Sequence, residues 1–231
     1  MKKVGIITFC YQSHNYGGLL QSYALCKALE RLQLDAEQIL YDNGAVNPEK
    51  RGMYRVRALS FMQILKRLTQ KTAVLFARLL YIAKNRRLQA AFAQRFAALE
   101  DFLNIVPHSG QVYTWNTIAS CTNTYHAFVA GSDQIWNRGV IRLHPAYLLD
   151  FVPGGQKKIA YAASVCHDEL DAESRRLFRE RLPSFSAISV REEDAVALLS
   201  PLAGRPVEWV LDPTLLLDRA AWDELCAPRV A

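Results

Sequence analysis

Acidic residues are nearly missing from one long stretch of this chain. Between residues 48 and 99, twelve Lys or Arg (Lys50, Arg51, Arg55, Arg57, Lys66, Arg67, Lys71, Arg78, Lys84, Arg86, Arg87 and Arg95) face a single acid, Glu49. That stretch carries +11 and leaves −5 for the remainder of a chain whose net charge is +6. Cysteine is sparse. The five residues Cys10, Cys26, Cys121, Cys166 and Cys226 are odd in number and form no CxxC pair. That pattern excludes a disulfide framework and a zinc site of that spacing, and it predicts buried, reduced thiols. His108, His126, His144 and His167 show no HExxH-type spacing, so no metal centre is expected and these rings read as surface or satisfied core histidines. GxGxxG and Walker-type loops are absent, so neither a dinucleotide nor a P-loop nucleotide is implied. The most apolar run, TAVLFARLLYIA, is too short to span a bilayer and contains Arg78. The opening MKKVGIITF lacks both an h-region and a small-residue cleavage site, and reads as the first strand of a cytoplasmic protein.

What is present is an ordinary globular composition: 231 residues, 51% hydrophobic and 22% charged, enough for a substantial core. Six apolar runs read as strands, VGIITF (4–9), AEQILY (36–41), AFVAG (127–131), KIAYAAS (158–164), AISVR (187–191) and VEWVLD (207–212). Most are continuous rather than alternating, as in a sheet covered on both faces. Helical patterns fall between them at 18–32, 55–103, 171–182 and 192–199. The alternation predicts an α/β fold, a Rossmann-like, doubly wound and mostly parallel sheet. In such sheets ligands bind beyond the carboxyl ends of the strands, where this sequence places YQSHNYGG, GSDQIWN, REED and DPT.

Each of these exits has two readings. In HNYGGLLQSYAL (14–25) the glycine pair lets backbone approach a ligand and the first helical turn offers N–H groups to an anion, with His14 and Asn15 adding polar side chains; packing alone also explains the glycines. In GSDQIWN (131–137), Ser132 or Asp133 either caps a turn or contacts a sugar or phosphate, and Trp136 either stacks on a sugar or closes the core. In SVREED (189–194) the acids suit a helix N-terminus, and Arg191 either captures a carboxylate or phosphate or pairs with Glu192, Glu193 or Asp194. The basic segment is amphipathic at helical spacing. It suits a helical hairpin with a solvated basic face or a helix lying on an anionic membrane, and its aromatics fall on the apolar stripe, which disfavours nucleic acid.

The ordered series KVGIITF, HNYGGLLQSYAL, FVAGSDQIWN, AYLLDFV with KKIAYAASV, ISVREEDAVALL and VEWVLDPTLLL, from residue 3 to about 217, resembles the polysaccharide pyruvyl transferase family. The resemblance implies an enzyme that moves the enolpyruvyl group of phosphoenolpyruvate onto two sugar hydroxyls, leaving a pyruvate ketal, during synthesis of cell-surface or exopolysaccharide and cell wall glycans. It implies no cofactor beyond the phosphoenolpyruvate donor, and partners limited to that donor and a sugar or glycan acceptor. It also implies the first half of a GT-B-like two-domain enzyme. Residues 1–217 would form the N-terminal Rossmann-like domain, including the basic helical segment 54–103, and 218–231 would open a further domain. The general acid is expected in that further part, beyond Ala231, so no catalytic residue is assigned. Substrate-binding positions carried over are Arg191 for phosphoenolpyruvate, and Asn15, Tyr16, Gly17 and Gln21 with Ser132, Asp133 and Gln134 toward the acceptor; His14 joins them as a rim residue. Gly18 stands where the family commonly has alanine. The basic segment suggests contact with the inner face of the cell membrane, where glycans are assembled on lipid carriers. The competing readings are a GT-B-like nucleotide-sugar glycosyltransferase and a non-catalytic glycan-binding or partner module.

Overall fold

The computed structural model describes residues 3–13, 15–44, 86–141 and 143–226. The chain divides into two compact units, residues 1–43 with 102–231, and residues 44–101. In the first unit β1 (Lys3–Ile7), β2 (Asp35–Gln38), β3 (Ala127–Ala130), β4 (Lys157–Ala163), β5 (Ala187–Val190) and β6 (Glu208–Trp209) form one sheet. Every pairing is parallel, in the order β2-β1-β3-β4-β5-β6. The helices are α1 (Tyr16–Arg31), α2 (Arg86–Leu103), α3 (Arg138–Ile141), α4 (Ala172–Arg181), α5 (Glu193–Ala203) and α6 (Arg219–Cys226). All of α2 except its last two residues belongs to the second unit.

The continuous apolar strands are buried from both sides. Val4 and Ile6 of β1 pack with Leu25 and Cys26 of α1. Ile7, Phe128 and Ile188 join a larger cluster with Phe178 of α4 and Leu199 of α5. A right-handed crossover from β1 to β2 therefore covers one face, and the crossovers after β4 and β5 cover the other. The reversal falls between β1 and β3, which are paired neighbours, so the crevice expected at a topological switch point opens beyond Ile7 and Ala130.

The differences from the sequence reading lie at the edges. Beyond Gln38 the chain stays extended but engages residues 107–113: Ser109 N–H donates to Gln38 O at 2.8 Å and Tyr113 N–H to Leu40 O at 2.7 Å. The run 207–212 contributes only Glu208 and Trp209 to the ladder, because it forms an outer strand with no further neighbour. Helix α5 runs past the expected end at 199, through Pro201, and stops at Gly204 in the left-handed region. Helix α6 packs Trp222 and Leu225 beside Tyr23 and follows an Asp218–Arg31 ion pair of 3.2 Å. Over the basic segment, α2 accounts for 86–103, and residues 54–85 lie outside the described residues. Among the described residues no helix is long and apolar enough to cross a membrane.

The cysteine expectation holds for three residues and fails for two. Cys10, Cys26 and Cys121 are buried, and burial pushes each thiol up to about 12. Cys166 and Cys226 are exposed, the first because it sits in the loop leaving β4 and the second because it ends α6.

Candidate active site

The chain leaves β1 through Thr8 to Asn15 and enters α1 with Asn15 as N-cap, whose Oδ1 accepts from Gly17 N–H at 3.0 Å. That cap engages a donor which the sequence reading offered to a ligand. Asn15, Tyr16 and Gly17 are exposed, whereas Gly18 is buried. A Cβ on Gly18 would lie 3.2 Å from Asp133 Oδ2 and 3.2 Å from Phe9 O, so its small size brings α1 close to the β3 exit. His14 lies outside the described residues.

One helical turn further, Gln21 is only 2% exposed and ties the two neighbouring exits together. Its Nε2 donates to Gly18 O at 2.8 Å and Thr8 Oγ1 at 3.3 Å, and its Oε1 accepts from Ser132 N–H at 3.2 Å. Thr8 Oγ1 in turn donates to Ser132 O at 2.6 Å. Gln21 and Ser132 thus lie beneath the rim and hold its shape. Gly131 directly precedes Ser132, at φ +123, and is joined to it by a cis peptide bond. Asp133 adopts φ +75, and its Oδ1 accepts from Gln134 N–H at 2.8 Å. Trp136 resolves toward the core: it is fully buried and its indole N–H donates to Tyr147 O at 3.0 Å. Gln12 beyond β1, Ala162 near the end of β4 and Cys166 beyond it also have positive φ, as do Gln33, Leu143 and Leu149 elsewhere.

Arg191 follows β5 directly. Its side chain is 31% exposed, and Nη1 donates to Asp212 Oδ2 at 3.1 Å. Of the acids beside it in sequence, Glu192 approaches its Nε at 3.8 Å. The Glu192 carboxylate is engaged elsewhere, accepting from Ser164 Oγ and, at 3.2 Å, from Val165 N–H. Asp212, from the DPT exit of β6, is the junction of the network. Oδ1 accepts from Thr214 N–H at 2.9 Å and Thr214 Oγ1 at 2.7 Å, while Oδ2 takes both Arg191 and Ser132 Oγ at 3.3 Å. In the sequence DPT marks a strand exit, and no role for Asp212 follows from that alone. The signal was present, since Asp before Pro-Thr is a turn cap, but its Arg191 partner lies on another strand.

Two nearby carboxyls are driven in opposite directions. Burial raises Asp133, against the lowering influence of Gln134 N–H and Arg191, and neighbouring Asp212 adds to the rise. Burial would also raise Asp212, but the two bonds from Thr214 and the Arg191 guanidinium outweigh it and hold that carboxyl below its ordinary value. Separated carboxyl pairs of this kind are characteristic of sites that handle charge or protons. The Asp212 shift has a consequence for stability. A depressed folded pKa contributes stability that is full above the unfolded value, about 3.9, and is lost as pH falls through the folded value. Asp212→Asn is therefore expected to flatten the loss of stability below about pH 4, read as urea midpoints against pH. Parallel curves for variant and wild type would contradict the assignment.

The fold thus links Asp133 and Arg191 at the rim, through bonds or electrostatics, with Thr8, Gln21 and Ser132 beneath it and with Asp212. Gln134 reaches away from it, its Oε1 accepting from Asn137 Nδ2 at 3.1 Å. Among the described residues no group of three His, Cys, Asp or Glu could hold a metal ion.

Fold and rim together define a doubly wound α/β unit with a polar site at the switch point of its sheet. Residues 15–228 match the model of the family described as polysaccharide pyruvyl transferase, nearly the whole chain, and the protein belongs to that family of transferases. No curated protein and no solved structure matches the chain significantly.

Proposed function

We propose that this rim binds phosphoenolpyruvate and a saccharide acceptor and takes part in forming a pyruvate ketal during synthesis of a cell-surface polysaccharide. The observation that carries the reading is Arg191, a part-exposed guanidinium at a strand exit, fixed by a carboxylate that is itself held by three other donors. An anion with a carboxylate and a phosphate suits such a fork. The reaction balances as two hydroxyls adding to the enol carbon while phosphate departs. One hydroxyl proton ends on the methylene carbon, making it methyl, and the other leaves with phosphate. Asp133, raised by burial, is suited on this unit to receive a hydroxyl proton. A GT-B-like arrangement and work at the cytoplasmic membrane face belong to the same reading.

The test is thermal denaturation and phosphate release with the full chain. Phosphoenolpyruvate is expected to raise Tm, since a ligand at a hundred times its Kd adds about 2.7 kcal/mol, while UDP and GDP leave it unchanged. Phosphate release should depend on a glycan acceptor. Stabilisation by UDP or GDP alone would transfer the protein to nucleotide-sugar glycosyl transfer.

A further inference from the structure

The ladder between β4 and β5 is interrupted just short of the rim. Ile159 pairs with Ala187 and Ala160 with Ile188, but the register has shifted where Ala163 meets Val190, and Ala162 between them stands at φ +49. An irregularity of this kind re-aims the residues beyond it and leaves main-chain groups without their ladder partners. Two side chains from the end of β5 take such groups over. Ser189 Oγ accepts from Ala162 N–H at 3.2 Å and donates to Ala160 O at 3.1 Å. Glu192 acts one step further out, accepting from Val165 N–H at 3.2 Å and from the Ser164 hydroxyl.

Glu192 occupies the N-cap position of α5, yet its side chain makes no capping bond to that helix. The carboxylate is turned back to β4 instead. Ser164, fully buried, joins the exits of β3 and β4: its N–H donates to Asp133 O at 3.0 Å, and its carbonyl accepts from Trp136 N–H at 3.2 Å. Next to it, Ala163 O accepts from Arg191 N–H at 3.4 Å. The main chain of both Asp133 and Arg191 is therefore tied to the short segment that Glu192 holds. The Glu192 carboxylate also lies 3.8 Å from Arg191 Nε, with the two side chains 32% and 31% exposed. An ion pair so long and so open to water contributes little through charge. What Glu192 supplies is its pair of bonds to β4.

We propose that Glu192 is a positioning residue for donor binding: in place of the interrupted ladder it fixes the β4 exit against the β5 exit, and with it Asp133 and Arg191. The role rests on the reading of the rim as a phosphoenolpyruvate site. The test compares Glu192→Ala, Glu192→Asp and Glu192→Gln in the full chain. Gln loses the charge but keeps the bonds, since its amide oxygen accepts from Val165 N–H and its NH₂ donates to the Ser164 hydroxyl. Asp keeps the charge, shortens the reach, and is a preferred N-cap, so α5 is retained even where Ala fails to fold. Amide hydrogen exchange at Val165 needs no ligand; it is expected to accelerate about tenfold or more in Ala and Asp and to stay within about threefold of wild type in Gln. The Kd for phosphoenolpyruvate, read by isothermal titration calorimetry, should rise about tenfold in Ala and Asp and return to within about threefold in Gln. A merely structural role would lower the melting temperature and leave the affinity of the folded protein unchanged. Unaltered exchange or unaltered affinity in the folded Ala and Asp variants would overturn the assignment. So would a Gln variant as impaired as Ala, which places the effect in the charge. If wild type itself binds no phosphoenolpyruvate, the donor reading fails instead, and exchange at Val165 still decides whether Glu192 holds the exit.

Discussion

Arg191→Ala is expected to lower acceptor-dependent phosphate release by roughly a hundredfold to a thousandfold, the scale seen when one preorganised charge-stabilising donor is lost. The guanidinium is the cation that the rim presents at the β5 exit, and Asp212 holds it without enclosing it. Truncation removes the fork and leaves Asp212 facing Thr214 and Ser132 alone. Arg191→Lys separates charge from geometry. An ammonium cannot reproduce two parallel bonds to carboxylate or phosphate, so about a tenfold loss is expected from a variant that keeps the charge. Folding is checked independently, because the main-chain carbonyl of residue 191, which accepts from Trp209 Nε1 at 3.1 Å, survives both changes. Release in Arg191→Ala within threefold of wild type, in a folded protein, would remove this arginine from the donor site.

Gly131→Ala is the substitution with the largest expected effect on stability. The residue sits at φ +123, and an added Cβ would lie 2.2 Å from Tyr161 O and 3.1 Å from Tyr161 C. The obstacle is the backbone of β4, not the end of a rotatable side chain. Relief therefore requires the carboxyl ends of β3 and β4 to separate where the network of Ser132 and Asp133 begins. Steric and backbone strain together place the loss at roughly 3 kcal/mol or more, a large share of a stability of about 5–15 kcal/mol. For a chain of this size the melting temperature should drop by about 6–12 °C. A thermal melt within about 2 °C of wild type would show that the sheet yields more easily than this geometry allows. Gly18→Ala probes the same rim more gently, because its tightest neighbour is the Ser13 hydroxyl, at 3.1 Å.

Strands, helices and fold class were legible because each depends on local pattern. Short continuous apolar runs such as VGIITF and AISVR can only be satisfied in a sheet covered twice, and the alternation with helices then dictates parallel strands. The strand exits were legible for the same reason, as polar and glycine-bearing breaks in those runs. Side-chain roles at the exits were less so. The family resemblance places Gln21 and Ser132 on the cleft toward the acceptor, but they are buried ties between β1, α1 and β3, which depends on a strand pairing across more than a hundred residues. Trp136 was ambiguous until Tyr147 O provided a partner for its indole inside the core.

The sequence by itself determined the α/β class, the family signature and the basic segment, since these follow from residue type, spacing and order. Only the tertiary structure decided that Arg191 is held by Asp212, that Asp133 and Asp212 are displaced in opposite directions, that Gly131 faces the β4 backbone, and that His167 shares a groove with Arg138, Glu169 and Asp171. The physical reason is common to all four. Burial, charge partners and steric contact are set by residues brought together across the sheet, and strand order puts them there without leaving a local trace in the chain.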